Sequence, residues 1–234
     1  MLEPKILFED DDLIVCHKPS GIATQTRKLG QKDMESILRN HVALAGGKTG
    51  KGVLPYIGIV HRLDQPVEGV MVFAKNSQAA ASLSTQVQKH SFGKKYYALV
   101  RLQETGKEED GRTFSDVTHL PERGTLENWI LADPNNNTSH IVQKGTKNAK
   151  RAVLDYRVIS RQNGKALLDI TLHTGRHHQI RVQLAGIGTP VCGDHKYGND
   201  TEGILALCSY HIDFEHPKSG QKMAFDIKPM NPEF

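Results

Sequence analysis

Apolar residues fall in short runs bounded by Gly, Pro, Asn or Asp, and they lengthen into a helical period in only three places. Ile6, Leu7 and Phe8 read as a strand, Glu9 to Asp12 as an acidic turn, and Leu13 to Cys16 as a second strand closed by the turn residues Lys18-Pro19-Ser20-Gly21. Asp33, a good N-cap, precedes Met34, Ile37, Leu38 and Val42. Their i, i+3, i+4, i+8 spacing predicts a helix over 33–44. Two β-branched runs, Ile57/Ile59/Val60 and Val70 to Ala74, read as buried strands around a charged loop. Ser77 is positioned to cap a helix running to about Lys89, with Ala80, Leu83 and Val87 on one face. Lys94 to Val100 predicts a strand with a basic entrance, and residues 103–116 a polar surface loop. Further strands are predicted over Leu126–Leu131 and His140–Val142. Asn163-Gly164 supplies the positive φ values of a tight hairpin between Val153–Ile159 and Lys165–Leu172. Ile180, Leu184 and Ile187 mark a third helix stopped by Gly186 and Gly188, and residues 204–214 and 222–228 a last hairpin. Many hairpins and three helices predict an α+β fold with a mixed, largely antiparallel central sheet and flanking helices.

Composition narrows the class. A chain of 234 residues, 38% hydrophobic and 24% charged, is ordinary for a soluble globular protein. The net charge of +4 and pI of 8.9 permit a polyanionic partner without requiring one. Cys16, Cys192 and Cys208 have no metal spacing, and their odd number argues against a disulfide framework. They read as small buried side chains in a reducing compartment. No apolar run reaches the ~20 residues of a membrane span, and the N-terminus has no signal-peptide pattern. A cytoplasmic protein is expected, an enzyme or a nucleic-acid-associated protein.

Candidate chemistry sits in three stretches: His61-Arg62-Leu63-Asp64, Lys94 to Val100 with Tyr96 and Tyr97, and Thr174-Gly175-Arg176-His177-His178-Gln179-Ile180-Arg181. A His, an Arg and an Asp beside core-forming runs are either a structural ion-pair knot or an active site. Ile180 is expected to pack while Arg181, one helical step of about 100° away, faces sideways. An arginine near Asp64 would keep that carboxylate ionised and oriented. A tyrosine face would offer a stacking platform, and only one of Tyr96 and Tyr97 can use it, because neighbours on a strand face opposite ways. Other chemistries fit less well. Zinc on His173, His177, His178 and His195 lacks any HExxH or CxxC spacing. A glycosidase needs a second carboxylate, for which Glu68 and Asp194 are weak candidates. There is no Gly-x-Ser-x-Gly. Gly46 to Gly52 contains Gly-Lys-Thr without the first glycine of a phosphate loop, and reads as a basic loop.

The three stretches, in order, resemble the RluA-type pseudouridine synthases. His61-Arg62-Leu63-Asp64 with the following Phe73-Ala74-Lys75-Asn76 resembles that family's signature, and Ile6 to Val15 with Lys18-Pro19-Ser20-Gly21 its opening. Lys95 to Val100, Thr174 to Val182, and Gly193-Asp194 with Tyr197-Gly198 follow, so the resemblance covers residues 5 to about 226. It implies a pseudouridine synthase fold with a central cleft, a single catalytic domain over 1–234 with no separate N-terminal RNA-binding domain, and isomerisation of a uridine in ribosomal or transfer RNA. On this resemblance Asp64 is the catalytic carboxylate, as nucleophile or base, with Tyr96 stacking on the base and Arg181 paired to Asp64. Substrate contacts fall to Arg62, His61, Arg176, His178, Gln179 and Leu207, although His61 also suits a plain loop brace. The target nucleotide must be flipped out, because a carboxylate cannot reach the sugar of a stacked base. No metal or other cofactor is implied, and a monomer is expected.

Some positions depart from the family pattern. Gln65-Pro66-Val67-Glu68 replaces a small hydroxyl-rich turn, and Gln183, Thr189 and Cys208 stand where His is common among relatives. These put the RNA target in doubt rather than the chemistry, and the 65–68 turn is the expected place for substrate choice to differ. The loops 46–52 and 144–151 are expected to help grip RNA. Two further readings stay open: an RNA-binding or RNA-folding protein of the same fold that works without catalysis, and a nucleoside hydrolase releasing uracil.

Overall fold

The computed structural model describes residues 3–26, 30–46, 54–102, 120–198 and 202–234. The predicted loop 103–116 and most of the 46–52 loop lie outside them. The chain divides into two compact units, Met1–Lys94 with Cys208–Met230, and Lys95–Leu207 with Asn231–Phe234.

In the first unit the strands β1 (Lys5–Glu9), β2 (Leu13–Lys18), β4 (Glu68–Ala74) and β10 (Leu207–Glu215) lie in that spatial order, with β11 (Lys222–Asp226) paired to β10 and β3 (Gly58–Ile59) paired to β4. Every pairing is antiparallel except β4 with β10, where Glu68 and Gly69 lie beside Cys208 and Ser209 in parallel. The strand predicted to end at Cys16 continues to Lys18, because His17 and Lys18 pair with Val70 and Gly69. The run Ile57–Val60 yields only the two residues of β3. Leu13, Val15, Val70, Val72, Leu83, Phe92, Ile212 and Phe214 build one core cluster under α2 (Ser77–Gln88). That helix is capped by Asn76, whose Oδ1 accepts the Ala79 N–H at 2.8 Å, and not by the predicted Ser77. The helix α1 (Met34–Leu44) begins at Asp33 in a reciprocal capping box with Ser36.

In the second unit the order is β5 (Gly93–Arg101), β9 (Lys165–Leu172), β8 (Lys150–Gln162), β6 (Arg123–Asp133), β7 (Thr138–Val142), all antiparallel. Asn163 and Gly164 turn the β8–β9 hairpin with φ of 51° and 67°. One face carries Ile130 and Ala152 and is covered by Val182 of α3 (Gln179–Gly186). Gln183, a departure from the family pattern, holds α3 down: its Nε2 donates to the Leu126 carbonyl at 3.1 Å and to Asn128 Oδ1 at 2.7 Å. The fold class is the predicted one, a mixed and mostly antiparallel sheet with few helices. All three cysteines are buried and none forms a disulfide. Among the described residues, no helix is long and apolar enough to cross a membrane.

Candidate active site

In the first unit the loop between β3 and β4 presents the candidate carboxylate. A turn closes on Asp64, whose carbonyl accepts the Val67 N–H at 3.0 Å. Leu63 is buried and anchors the loop in the interior. The Thr24 hydroxyl accepts the Leu63 N–H at 3.2 Å and donates to the Leu63 carbonyl at 2.9 Å, which satisfies both backbone groups of the residue before Asp64. On the other side Ser20 donates to the Pro66 carbonyl at 2.7 Å, and Gly21 N–H donates to the Gln65 carbonyl at 2.9 Å. His61 Nε2 accepts the Val72 N–H at 3.1 Å from inside the core. Asp64 itself is half-buried, while Arg62 and Gln65 are exposed.

Lys18 lies beneath this loop with 0% of its surface exposed. Its Nζ reaches the carbonyl oxygens of Ile22 at 2.7 Å, Pro19 at 3.0 Å and Gln65 at 3.2 Å. An ammonium has three protons and no acceptor, so three converging carbonyls match it group for group. Burial pushes the Lys18 amine down to about 7, against the pull of the Asp64 and Glu68 carboxylates, which favours its charged form. Burial likewise takes the His61 imidazole down to about 3, aided by the Lys94 charge, so His61 is neutral and its ring nitrogen is an acceptor. Glu68 is buried at the start of β4, accepts the Met230 N–H at 3.0 Å and faces His17 Nε2 at 3.9 Å. Its carboxylate is occupied inside the fold, so in the 65–68 turn it is Gln65 that reaches solvent.

The other candidates lie in the second unit. On β5, Tyr96 shares the buried face with Ile170 and Tyr156, while Tyr97 shares the opposite face with Asp169 and Arg157. Strand alternation thus separates the two tyrosines as predicted. Ile180 and Arg181 are both buried at the start of α3. Arg181 forms a fork with Asp194, Nε to Oδ2 at 2.8 Å and Nη2 to Oδ1 at 2.7 Å. Burial would raise the Asp194 carboxyl, but the Arg181 hydrogen bonds and charge, with the N–H groups of Lys196 and Tyr197, hold it below the ordinary carboxylate range. Asp194 therefore binds Arg181 through both of its carboxylate oxygens. His178 caps α3 at φ 53°, ψ 23° with no side-chain capping bond, a conformation uncommon outside glycine. Gln179 is buried. Its Oε1 accepts from the Thr174 hydroxyl and the Arg176 N–H, and its Nε2 donates to the Val153 carbonyl, so the amide holds the 174–176 turn. Arg176 is half-exposed and donates through Nε to the Arg151 carbonyl at 2.9 Å, next to the exposed basic residues of the 144–151 stretch. Leu207 is buried at the first position of β10.

Residues 12–186 match the family described as RNA pseudouridylate synthase. The chain belongs to the RluA-type pseudouridine synthases. It is 32% identical to ribosomal large subunit pseudouridine synthase D of Zymomonas mobilis over 96% of its own length and 68% of that protein. The protein of the same description from Nitrosomonas europaea is 33% identical over 95% of this chain, which spans 61% of that relative. Among solved structures, human RNA pseudouridylate synthase domain containing 4 superposes with a TM-score of 0.74 at 22% identity, covering 97% of this chain and 89% of that one, a likeness of fold. Membership places this chain among RNA isomerases.

Within this pseudouridine synthase, the residues that sequence reasoning passed over are the braces. Lys18 and Ser20 read as turn punctuation and Thr24 drew no reading, yet all three hold the Asp64 loop. Tyr197 was marked only as part of a family spacing, and Asp194 as that and as a weak second carboxylate, yet they hold Arg181. The one available signal was compositional: a Lys closing a strand that opens with four apolar residues has to find acceptors if that strand is buried. Of the histidines considered for zinc, His173 is engaged by Asp155 at 2.6 Å, His177 by Ser139 at 2.9 Å and His178 by Tyr197 at 2.7 Å.

Proposed function

We propose that this chain isomerises a uridine in structured RNA to pseudouridine, acting as a cytoplasmic monomer without a cofactor. Ribosomal RNA is the first substrate to test, since relatives carry that target in their names, and transfer RNA is the second. The observation that carries the reading is Asp64: a half-buried carboxylate on a loop whose backbone is fixed by Lys18, Ser20 and Thr24. Such fixing holds a reactive group in one attack geometry and removes the entropy of finding it.

In this reading Asp64 acts on the flipped nucleoside as nucleophile or base. The bond from uracil N1 to the sugar breaks, the ring turns, and a bond forms from C5 to the sugar. C5 gives up a proton and N1 gains one, so the isomerisation balances without any co-reactant. Tyr96 stacks on the base and assists proton removal, and Arg181 pairs with Asp64 to keep it charged and oriented. Arg62 and Arg176 hold phosphates, His178 and Leu207 complete the substrate contacts, and His61 and Gln179, predicted as contacts, instead brace the site through Val72 and the 174–176 turn. Detached uracil must stay in a site that water does not reach.

Pseudouridine mapping in ribosomal and transfer RNA tests this, in cells lacking the gene and re-supplied with wild type or Asp64→Asn. One or more sites vanish on deletion and return with wild type alone. A map unchanged by deletion overturns the reading, and a site restored equally by D64N reassigns the catalytic carboxylate.

A further inference from the structure

Among the described residues, the lysines and arginines drawn back from solvent meet oxygen partners, with one exception. Lys18 meets backbone carbonyls, Arg176 meets the Arg151 carbonyl, and Arg39, Lys75, Lys165 and Arg181 each meet a carboxylate. Lys94, at the second position of β5, is half-buried, and no hydrogen bond or ion pair joins its Nζ to a described residue. The Nζ instead stands 5.5 Å from the centre of the Phe92 ring, a core side chain that stacks on Phe214. The face of a ring attracts a cation, but it does not accept the three N–H bonds that an ammonium offers.

The electrostatics agree with the geometry. Burial pushes the Lys94 amine below its ordinary value, and no carboxylate pulls it back, whereas Asp64 and Glu68 both favour the charged form of Lys18. Lys94 acts on His61, whose imidazole its charge helps to keep neutral. The His61 ring lies 5.2 Å from the Phe92 ring, so imidazole, phenyl and ammonium form one cluster inside the first unit. His61 is three residues before Asp64. A cation withdrawn from water without a counter-charge costs folding free energy. A lysine that only covered Phe92 with its methylene stem would carry its ammonium out to water and keep its ordinary titration. Its neighbour Lys95, on the other side of the strand, is exposed in that way. What the cluster lacks is an anion with several acceptor oxygens, and a phosphodiester supplies both the charge and the acceptors.

We propose that Lys94 binds a backbone phosphate of the RNA beside His61 and Phe92, in addition to the contacts of Arg62 and Arg176. The identity of the anion rests on the isomerase reading above: Asp64 acts there on a sugar of the strand, and the phosphates joined to that sugar pass close to the loop. A pair formed away from bulk water is stronger than one at the surface. The protein without RNA carries an unpaired cation, and this stability cost is the mark of a residue kept for binding.

Lys94→Met keeps the stem and removes the charge, and Lys94→Gln removes it while keeping a polar end. Two quantities are measured for each: the urea midpoint of the protein alone, and the affinity for an unmodified large-subunit ribosomal RNA transcript over a range of salt. K94M is expected to unfold at the wild-type midpoint or above it, because no pairing is lost. Its RNA affinity is expected to fall about 10-fold or more at low salt, with the log–log salt slope reduced by about 1. Lys94→Arg, which keeps a cation, is expected to retain the wild-type slope. A K94M protein that matches wild type in affinity and slope overturns the inference, whatever its turnover. So does a loss of affinity at unchanged slope, since no phosphate contact would then have been removed. A midpoint lowered in both K94M and K94Q also overturns it, by making Lys94 a structural cation. If wild type binds the transcript but forms no pseudouridine in any RNA, the isomerase reading fails, and the slope comparison still decides the role of Lys94.

Discussion

Lys18 Nζ stands 3.2 Å from the carbonyl oxygen of Gln65, the residue directly after the candidate reacting carboxylate. A buried amine thus reads the position of the Asp64 loop through its backbone. Replacing it with methionine keeps the apolar stem and orphans carbonyls that it satisfied. An unsatisfied buried polar group costs about 1–3 kcal/mol, partly offset by no longer burying a charge. The stability loss is therefore expected to be modest, and the loss of turnover larger, because the loop carrying Asp64 loosens.

The same lysine makes a pH prediction. The unfolded chain keeps this amine protonated up to its ordinary value of 10.5, whereas in the folded state burial brings it down to about 7. Between those values the unfolded state binds more protons, so stability rises with pH, by at most about 1.4 kcal/mol per unit from one group. Above about 9 the buried Cys16 thiol, pushed up to about 12 by burial, acts in the opposite sense. The clean window is pH 7 to 9: urea midpoints should rise there for wild type and stay flatter for Lys18→Met. Parallel curves would mean that Lys18 does not titrate in that range.

Asp194→Asn tests the buried fork. It leaves the Arg181 charge, 4% exposed, without its carboxylate, and breaking one partner of a buried pair costs about 3–5 kcal/mol. The Asp194 carboxyl is depressed in the folded state, so its contribution is present above its ordinary value of 3.8 and is lost as pH falls through its folded value. Chemical denaturation should therefore show wild type and D194N converging in acid and diverging near neutrality.

Gly69 is fixed by close approach. A Cβ there would stand 2.5 Å from Ser209 Cβ and 2.8 Å from the Ser209 carbonyl oxygen, where β4 and β10 run in parallel. Backbone cannot retreat as a flexible side chain can, so Gly69→Ala is expected to cost about 3 kcal/mol, the upper end for overpacking. A thermal midpoint within a degree or so of wild type would show that the strands part more readily than this geometry allows.

RNA affinity should fall steeply with added salt, because each phosphate contact releases counterions. Arg62→Gln and Arg176→Gln should each weaken binding across sequences and reduce the log–log salt slope by about 1. An unchanged slope would remove that arginine from the phosphate contacts.

Much of the fold was legible because period and turn chemistry agreed: Asn163-Gly164 turned the hairpin, and Asp33 capped its helix. The cap of α2 was misread by one residue, since Asn76 and Ser77 are both good caps and only the reach of Asn76 Oδ1 to Ala79 decides between them. The residues of the site were legible as types, through their resemblance to a family, but their supports were not. Lysine is almost never fully buried, so only its place after a buried apolar run hints that Lys18 is interior. Arg181 and Asp194 are separated by a helix and a loop, and long-range pairing of that kind leaves no periodic trace.

The first unit closes only with the last strands of the chain, since β4 takes β10 as its neighbour after residues 95–207 have been made. At typical rates of synthesis that interval is on the order of ten seconds. Throughout it, the edge of β4 at Glu68 and Gly69 lacks its β10 neighbour, a template for pairing with other chains. The nascent chain therefore has a window of vulnerability whose length is set by translation speed. Slowing the decoding of the middle segment should lower the yield of soluble protein, while slowing the codons after β10 should not.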